Sequence, residues 1–134
     1  MIVNRWVAVL LIAAVVVVLT GCAANANTSS GKAQYTTTST QQLQAAIDAG
    51  EKLVIVDLRE PELYRAGHIP GAKNIPFEQF DKRMGELNAD DNIVLVCHNG
   101  PMGDVSGSLL AERGYAHVQN VSGGMAAWRG KLAK

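Results

Sequence analysis

The chain carries only two cysteines, Cys22 and Cys97, in 134 residues. Two thiols exclude a disulfide-dense scaffold and a four-cysteine zinc site. Charge of either sign is not in excess, since Lys+Arg and Asp+Glu stand at 12 each. Nucleic-acid binding needs a basic footprint, so no nucleic acid is expected as a partner. Aromatic residues are scarce, at 5%, and no internal repeat is visible. What remains is a length suited to one domain, with some to spare, and the abundant Ala, Val and Gly of a compact α/β protein.

The apolar fraction is inflated by the first twenty residues. Met1 to Arg5 contributes one positive side chain, Trp6 to Leu19 is apolar without a charge, and Leu19-Thr20-Gly21-Cys22 follows. A positive start, an apolar core and small residues before a cut describe an export signal. The core is short for a membrane-spanning helix, which needs about 20 residues. Leu-Thr-Gly-Cys in this place resembles the bacterial lipobox, which implies cleavage before Cys22 and lipidation of its thiol. Buried acyl chains contribute about 0.8 kcal/mol per CH₂, so two or three would hold the protein on a membrane. Ala23 to Gln34 lacks large apolar side chains and reads as a flexible tether with a typical span of about 20 Å. The expected organisation is a signal peptide over 1–21, a lipid-anchored tether over 22–34 and a globular domain over 35–134. It places the domain in a bacterial cell envelope, outside the cytoplasm, without deciding which membrane carries it. Cys97 is then a lone thiol where unpaired cysteines tend to be oxidised or used.

Within the domain, Tyr35 to Thr38 is β-prone. Ser39-Thr40-Gln41-Gln42 matches a capping box for a helix that Gly50 ends. Leu53 to Val56 is apolar at every position, as in a strand covered on both faces, and runs into Asp57-Leu58-Arg59. Pro61 opens a short helix that Gly67 stops. A turn over Gly67 to Ala72 leads to a strand from Lys73 to Ile75, and Pro76 opens a helix with Phe77, Phe80 and Met84 on one face. Ile93 to Val96 is a buried strand. Asp104 to Arg113 is a helix closed by Gly114, His117 to Val121 is a strand, and Gly123-Gly124 turns into a last helix with Met125 and Trp128. Strands alternate with helices over connections too long for hairpins, which predicts a mainly parallel sheet with helices on both faces.

Cys97 sits where the Ile93–Val96 run stops and the Gly100/Pro101/Gly103 turn begins. Unpaired N–H groups and the positive end of a helix dipole meet there. That setting favours thiolate over thiol and makes the cysteine a candidate nucleophile. It requires a sulfur that is faced by amides and not sealed under side chains.

Asp57-Leu58-Arg59-Glu60, Gly67-His68-Ile69-Pro70-Gly71-Ala72, Asn74-Ile75-Pro76, the Cys97 loop and Val121-Ser122-Gly123-Gly124-Met125 with Trp128 together resemble the rhodanese family. They run in family order over nearly all of residues 35 to 134. The resemblance implies a three-layer fold with a five-stranded, mainly parallel sheet. It also implies sulfur transfer: a loop thiolate takes a sulfane sulfur from thiosulfate, polysulfide or a persulfide and passes it to a thiol or cyanide, with no cofactor. Carried over, Cys97 is the nucleophile, and His98, Asn99, Gly100, Pro101, Met102 and Gly103 form its loop, whose N–H groups cradle the charged sulfur. Thiosulfate-using members commonly place Arg five residues after the cysteine. Met102 stands there, and the missing charge-assisted partner weakens anion binding by about 1.5–3 kcal/mol. Phosphatases of this fold place Arg six residues after the cysteine, where this chain has Gly103, which argues against that chemistry. The Met102-Gly103 pair also keeps open a non-catalytic binding or redox-sensing module.

Asp57 and Arg59 are either support for the Cys97 loop or a structural ion pair, the latter being favoured. His68 is expected in packing and hydrogen bonding, and His117 at the surface. His98 either adds positive charge at the rim or points to solvent. No further ligands stand at zinc spacing from Cys97-His98, so no metal is expected.

Overall fold

The computed structural model describes residues 34–134. The signal-peptide, lipidation and tether assignments lie outside the described residues, apart from Gln34.

Five strands and five helices alternate along the chain: β1 (Thr36–Thr38), α1 (Thr40–Asp48), β2 (Val54–Asp57), α2 (Pro61–Ala66), β3 (Lys73–Asn74), α3 (Phe80–Arg83), β4 (Ile93–Val96), α4 (Pro101–Glu112), β5 (Val118–Val121) and α5 (Gly124–Ala127). The strands form one sheet in the order β1-β5-β4-β2-β3, and every pairing is parallel. The rhodanese-like three-layer α/β fold expected from the sequence is the one observed.

Local chemistry sets most boundaries. Ser39 Oγ accepts from the Gln42 N–H at 3.1 Å, and Gln42 Oε1 accepts from the Ser39 N–H at 2.8 Å. This capping box satisfies orphan donors of α1, and loss of such a cap costs about 0.5–2 kcal/mol. Pro61 and Pro101 open α2 and α4, where a missing N–H costs nothing.

Because side chains alternate along a strand, the two faces of the sheet bury separate cores. Val56, Ile93, Leu95 and Val118 pack with Phe80, Met84 and Leu110 on one face. Ile55, Val94, Val96 and Val121 pack with Leu43, Ile69 and Trp128 on the other. Ile93, Leu95 and Val96 have no exposed surface, as expected for central strands of a parallel sheet covered on both sides.

Several element ends shift by one residue, and three differences are larger or bear on the site. The single helix expected after Pro76 is broken into a 3₁₀ turn (Phe77–Gln79), α3 and a second 3₁₀ turn (Met84–Glu86). Gly85 weakens helix propensity there, and Leu87 leaves in an extended conformation to reach the core. Helix α4 begins at Pro101, not Asp104, so Pro101, Met102 and Gly103 form its first turn and are not loop. Gly100 supplies the irregular entry with φ +129°, a conformation that favours glycine. Trp128 lies just beyond α5 in extended conformation, with its indole N–H on the Lys131 carbonyl at 3.1 Å.

Candidate active site

Cys97 continues the alternation of β4. Ile93, Leu95 and Cys97 share one face, so the thiol is delivered beneath the start of α4 and joins the core cluster that Met102 packs against. The loop proper is three residues, His98 to Gly100. It folds back so that the Gly100 N–H donates to Cys97 Sγ at 3.0 Å.

Helix α5 fixes the opposite side of this loop. The Met125 N–H donates to the Cys97 carbonyl at 2.8 Å, and the Ala126 N–H to the His98 carbonyl at 2.9 Å. Peptide units are trans throughout the described residues, so the His98 and Asn99 N–H groups point away from α5. Gly124 makes this approach possible: a Cβ on it would lie 2.7 Å from the His98 carbonyl carbon and 2.8 Å from the Asn99 nitrogen. The Gly-Gly motif thus serves backbone-to-backbone contact with the cysteine loop.

Asn120, which sequence reasoning did not single out, anchors the loop from β5. Its side-chain amide donates to the Gly100 carbonyl at 3.0 Å and to Asp104 Oδ1 at 2.7 Å. Both partners are acceptors, which fixes the amide's orientation. Asp104 also accepts from Tyr35 Oη at 3.0 Å. The signal was available: Asn120 has the same parity as Val118, so it is a polar residue at an inward position of a buried strand. Gly103 packs directly against Asn120, and a Cβ at Gly103 would overlap the Asn120 amide.

An unsealed sulfur was expected, and this is corrected. Cys97 has no solvent-exposed surface, because β4 alternation points it into the core beside Met102. The amide contact from Gly100 is present; an open path to the sulfur is not.

Asp57 and Arg59 form a buried ion pair, not a support for the Cys97 loop. Arg59 Nη2 lies 2.6 Å from Asp57 Oδ2 and donates to the Gly67 carbonyl at 2.8 Å. Asp57 shares the parity of Ile55, so the pair belongs to the face opposite Cys97. His68 stacks on Tyr64 at 3.8 Å, and its Nδ1 lies 2.9 Å from the Tyr64 carbonyl. His117 is exposed, as is Asn99. His98 is half-buried and turns to Glu60, with Nε2 2.9 Å from Oε2. The Glu60 carboxyl is held below its ordinary value, first by a hydrogen bond from its own backbone and then by His98.

Beside the loop lies a cleft of about 170 Å³ lined by Leu58, Pro61, Pro76, Phe77 and Met102, with Glu60, Glu78 and Gln79 at its polar side. Leu58 belongs to the core cluster that contains Cys97, and Phe77 and Met102 pack against it, so the apolar side of the cleft is continuous with the core that holds the sulfur. Among the described residues no group of three or more His, Cys, Asp or Glu side chains could hold a metal ion.

The chain is similar to known proteins in sequence and in fold. The chain is 38% identical over 93 residues to the Putative sulfur carrier protein YrkF of Bacillus subtilis, covering 69% of this chain and 50% of that protein. It is 37% identical over 78 residues to the Thiosulfate sulfurtransferase GlpE of Pseudoalteromonas translucida, covering 58% of this chain and 74% of that one. The chain thus spans about half the length of the first of these relatives. A crystal structure of a rhodanese-related protein from Thermoplasma volcanium superposes with a TM-score of 0.67 at 22% identity, over 74% of this chain and 98% of that one. A crystal structure of a rhodanese-like domain protein from Staphylococcus aureus does so with a TM-score of 0.64 at 27% identity, over 73% and 96%. The family profile described as Rhodanese-like domain matches residues 39–131, from the capping serine of α1 to the carbonyl that holds the Trp128 indole, and the chain belongs to the rhodanese-like family.

Proposed function

We propose that the protein is a sulfurtransferase that works through a persulfide on Cys97. The observation that carries this reading is the placement of Cys97 at the end of a central parallel strand, its sulfur hydrogen-bonded by the Gly100 N–H at 3.0 Å, in a chain of this family. Sulfurtransferase-named relatives support the same chemistry.

In the first half-reaction the Cys97 thiolate attacks the outer sulfur of a donor. A new S–S bond forms at Sγ, the donor's S–S bond breaks, and its electron pair leaves on the donor thiolate, or on sulfite where thiosulfate is the donor. In the second, an acceptor thiolate or cyanide attacks the terminal sulfur, and the electron pair returns to Cys97. The protein undergoes no net redox change. Its own contribution is positional: α5 holds the Cys97 and His98 carbonyls, Asn120 holds the Gly100 carbonyl, and the amides left on the inner side of the loop face the sulfur that gains charge. Met102 packs against the core cluster that holds the thiol. Its unbranched side chain has three rotatable bonds, and swinging it aside admits the donor. In the cell the domain is tethered to a bacterial membrane by lipid on Cys22, outside the cytoplasm.

The test is incubation of the purified full chain with thiosulfate, polysulfide and organic persulfides, followed by intact mass. One added sulfur atom on wild type, absent in Cys97→Ser, is expected; no addition with any donor, or equal addition in the variant, rejects the reading. The tether is tested separately: Cys22→Ala should move the protein from the membrane to the soluble fraction.

The burial of Cys97 and the absence of an arginine at Met102 favour one alternative, a binding or redox-sensing module that keeps the fold. It predicts modification of Cys97 without turnover, so repeated sulfur transfer to an acceptor excludes it.

A further inference from the structure

The sulfur-transfer reading leaves the donor open, and the cleft beside the cysteine loop narrows it. We propose that this cleft selects small organic persulfides whose carrier group is uncharged or bears an ammonium, and discriminates against carboxylate-bearing persulfides and thiosulfate. This rests on the sulfurtransferase reading and goes beyond it in naming the donor class.

Three observations support it. The wall shared with the Cys97 core is apolar: Leu58, Phe77 and Met102 line the cleft and pack in or against the cluster that includes Cys97. A donor carrier would therefore lie on hydrocarbon. Among the described residues, the ionisable side chains that line the cleft are two carboxylates, Glu60 and Glu78, and no lysine or arginine lines it. An anionic carrier would enter against like charge with no cationic side chain in the lining, the Arg83 guanidinium behind Gln79 being paired with Glu86, whereas an ammonium would find a partner. The nearest guanidinium in sequence, that of Arg59, is committed to Asp57 and the Gly67 carbonyl on the other face of the sheet. His98 is drawn to the rim by Glu60 at 2.9 Å, which holds the imidazole over a carboxylate and away from the task of binding an anion. The cleft volume of about 170 Å³ is several times the roughly 30 Å³ share of one water, enough for a short carrier chain.

The bond change is the same for every donor: the outer sulfur bonds to Cys97 Sγ, and the electron pair of the broken S–S bond leaves on the carrier thiolate, or on sulfite for thiosulfate. The carrier thiols also differ as leaving groups, so each rate is divided by that of the same donor with a free small thiol, and the expected ratios are of these normalised rates, which isolate binding of the carrier.

The experiment uses the full chain and a matched series, the persulfides of cysteamine, 2-mercaptoethanol and mercaptoacetate, with thiosulfate alongside. The initial rate of sulfur arrival on Cys97 is followed by intact mass. The cysteamine compound is expected to react roughly tenfold faster than the mercaptoacetate compound at low salt, with the ratio shrinking as salt screens the carboxylates. In Glu60→Gln/Glu78→Gln, two exposed positions, the ratio should fall to about twofold. Equal rates across the series, a preference for the carboxylate, or an unchanged ratio in the double variant each overturn the inference while leaving sulfur transfer standing. Absence of sulfur on Cys97 from every donor removes the underlying reading and the inference with it.

Discussion

Asn120 and Gly103 share one volume: the side-chain amide of Asn120 fills the space that a Cβ on Gly103 would occupy. That contact lets the amide reach past the first turn of α4 to the Gly100 carbonyl at 3.0 Å. The glycine six residues after the cysteine is thus matched by a polar residue on a neighbouring strand.

Gly103→Ala should therefore destabilise the fold by about 1–3 kcal/mol through overpacking. Combining it with Asn120→Ala should recover part of that loss, giving a coupling of about 0.5–3 kcal/mol in urea denaturation. Strict additivity of the two substitutions would show that they do not compete for space.

Met102 packs against the core cluster that holds Cys97, a thiol with no exposed surface. Met102→Ala should speed alkylation of Cys97 by iodoacetamide roughly tenfold, the factor that ~1.4 kcal/mol of lost covering contact gives. An unchanged rate would place the route to the sulfur elsewhere. Met102→Arg, which supplies the missing cation, should raise the rate with thiosulfate.

The Asp57–Arg59 pair is about as buried as the strands around it, with side-chain exposures of 2% and 9%. Asp57→Ala leaves a guanidinium without its carboxylate and should cost about 3–5 kcal/mol. Glu62→Ala breaks the exposed Arg65 pair and should stay within about 0.5 kcal/mol. Thermal melts of the two variants give the comparison, and similar shifts would contradict the burial argument.

The lowered pKa of Glu60 carries a sign. Its folded value lies below the ordinary 4.5, so the unfolded chain binds the proton first as pH falls. The contribution of the Glu60 carboxylate to stability is complete above that ordinary value and is lost as pH drops through the folded value. The stability difference between wild type and Glu60→Gln should be constant near neutrality and change only in the acid range. A difference that stays flat down to full protonation would show that the carboxyl has no favourable partner in the folded state.

Much of the architecture was written in local chemistry. The Ser39–Gln42 box, the prolines at helix starts and the continuous apolar runs of β2 and β4 each specify an element without reference to the rest of the chain. The parallel sheet followed because such strands must be covered on both faces. Cys97 was legible for the same reason, as a thiol at the point where a buried run stops.

Other features were decided only by the packed chain. Strand parity, once the sheet order is set, sends Cys97 into one core and Asp57 into the other, which separates two sites that adjacent strand ends had seemed to join. The glycine motif before Trp128 shows its purpose only when α5 lies against the cysteine loop, because the contact is between backbones distant in sequence. Burial of the thiol in the core that Met102 packs against, the Asn120 anchor and the acidic rim of the cleft also arise from side chains of different elements converging. A one-dimensional pattern records how each segment alternates; which groups meet depends on register and packing in three dimensions.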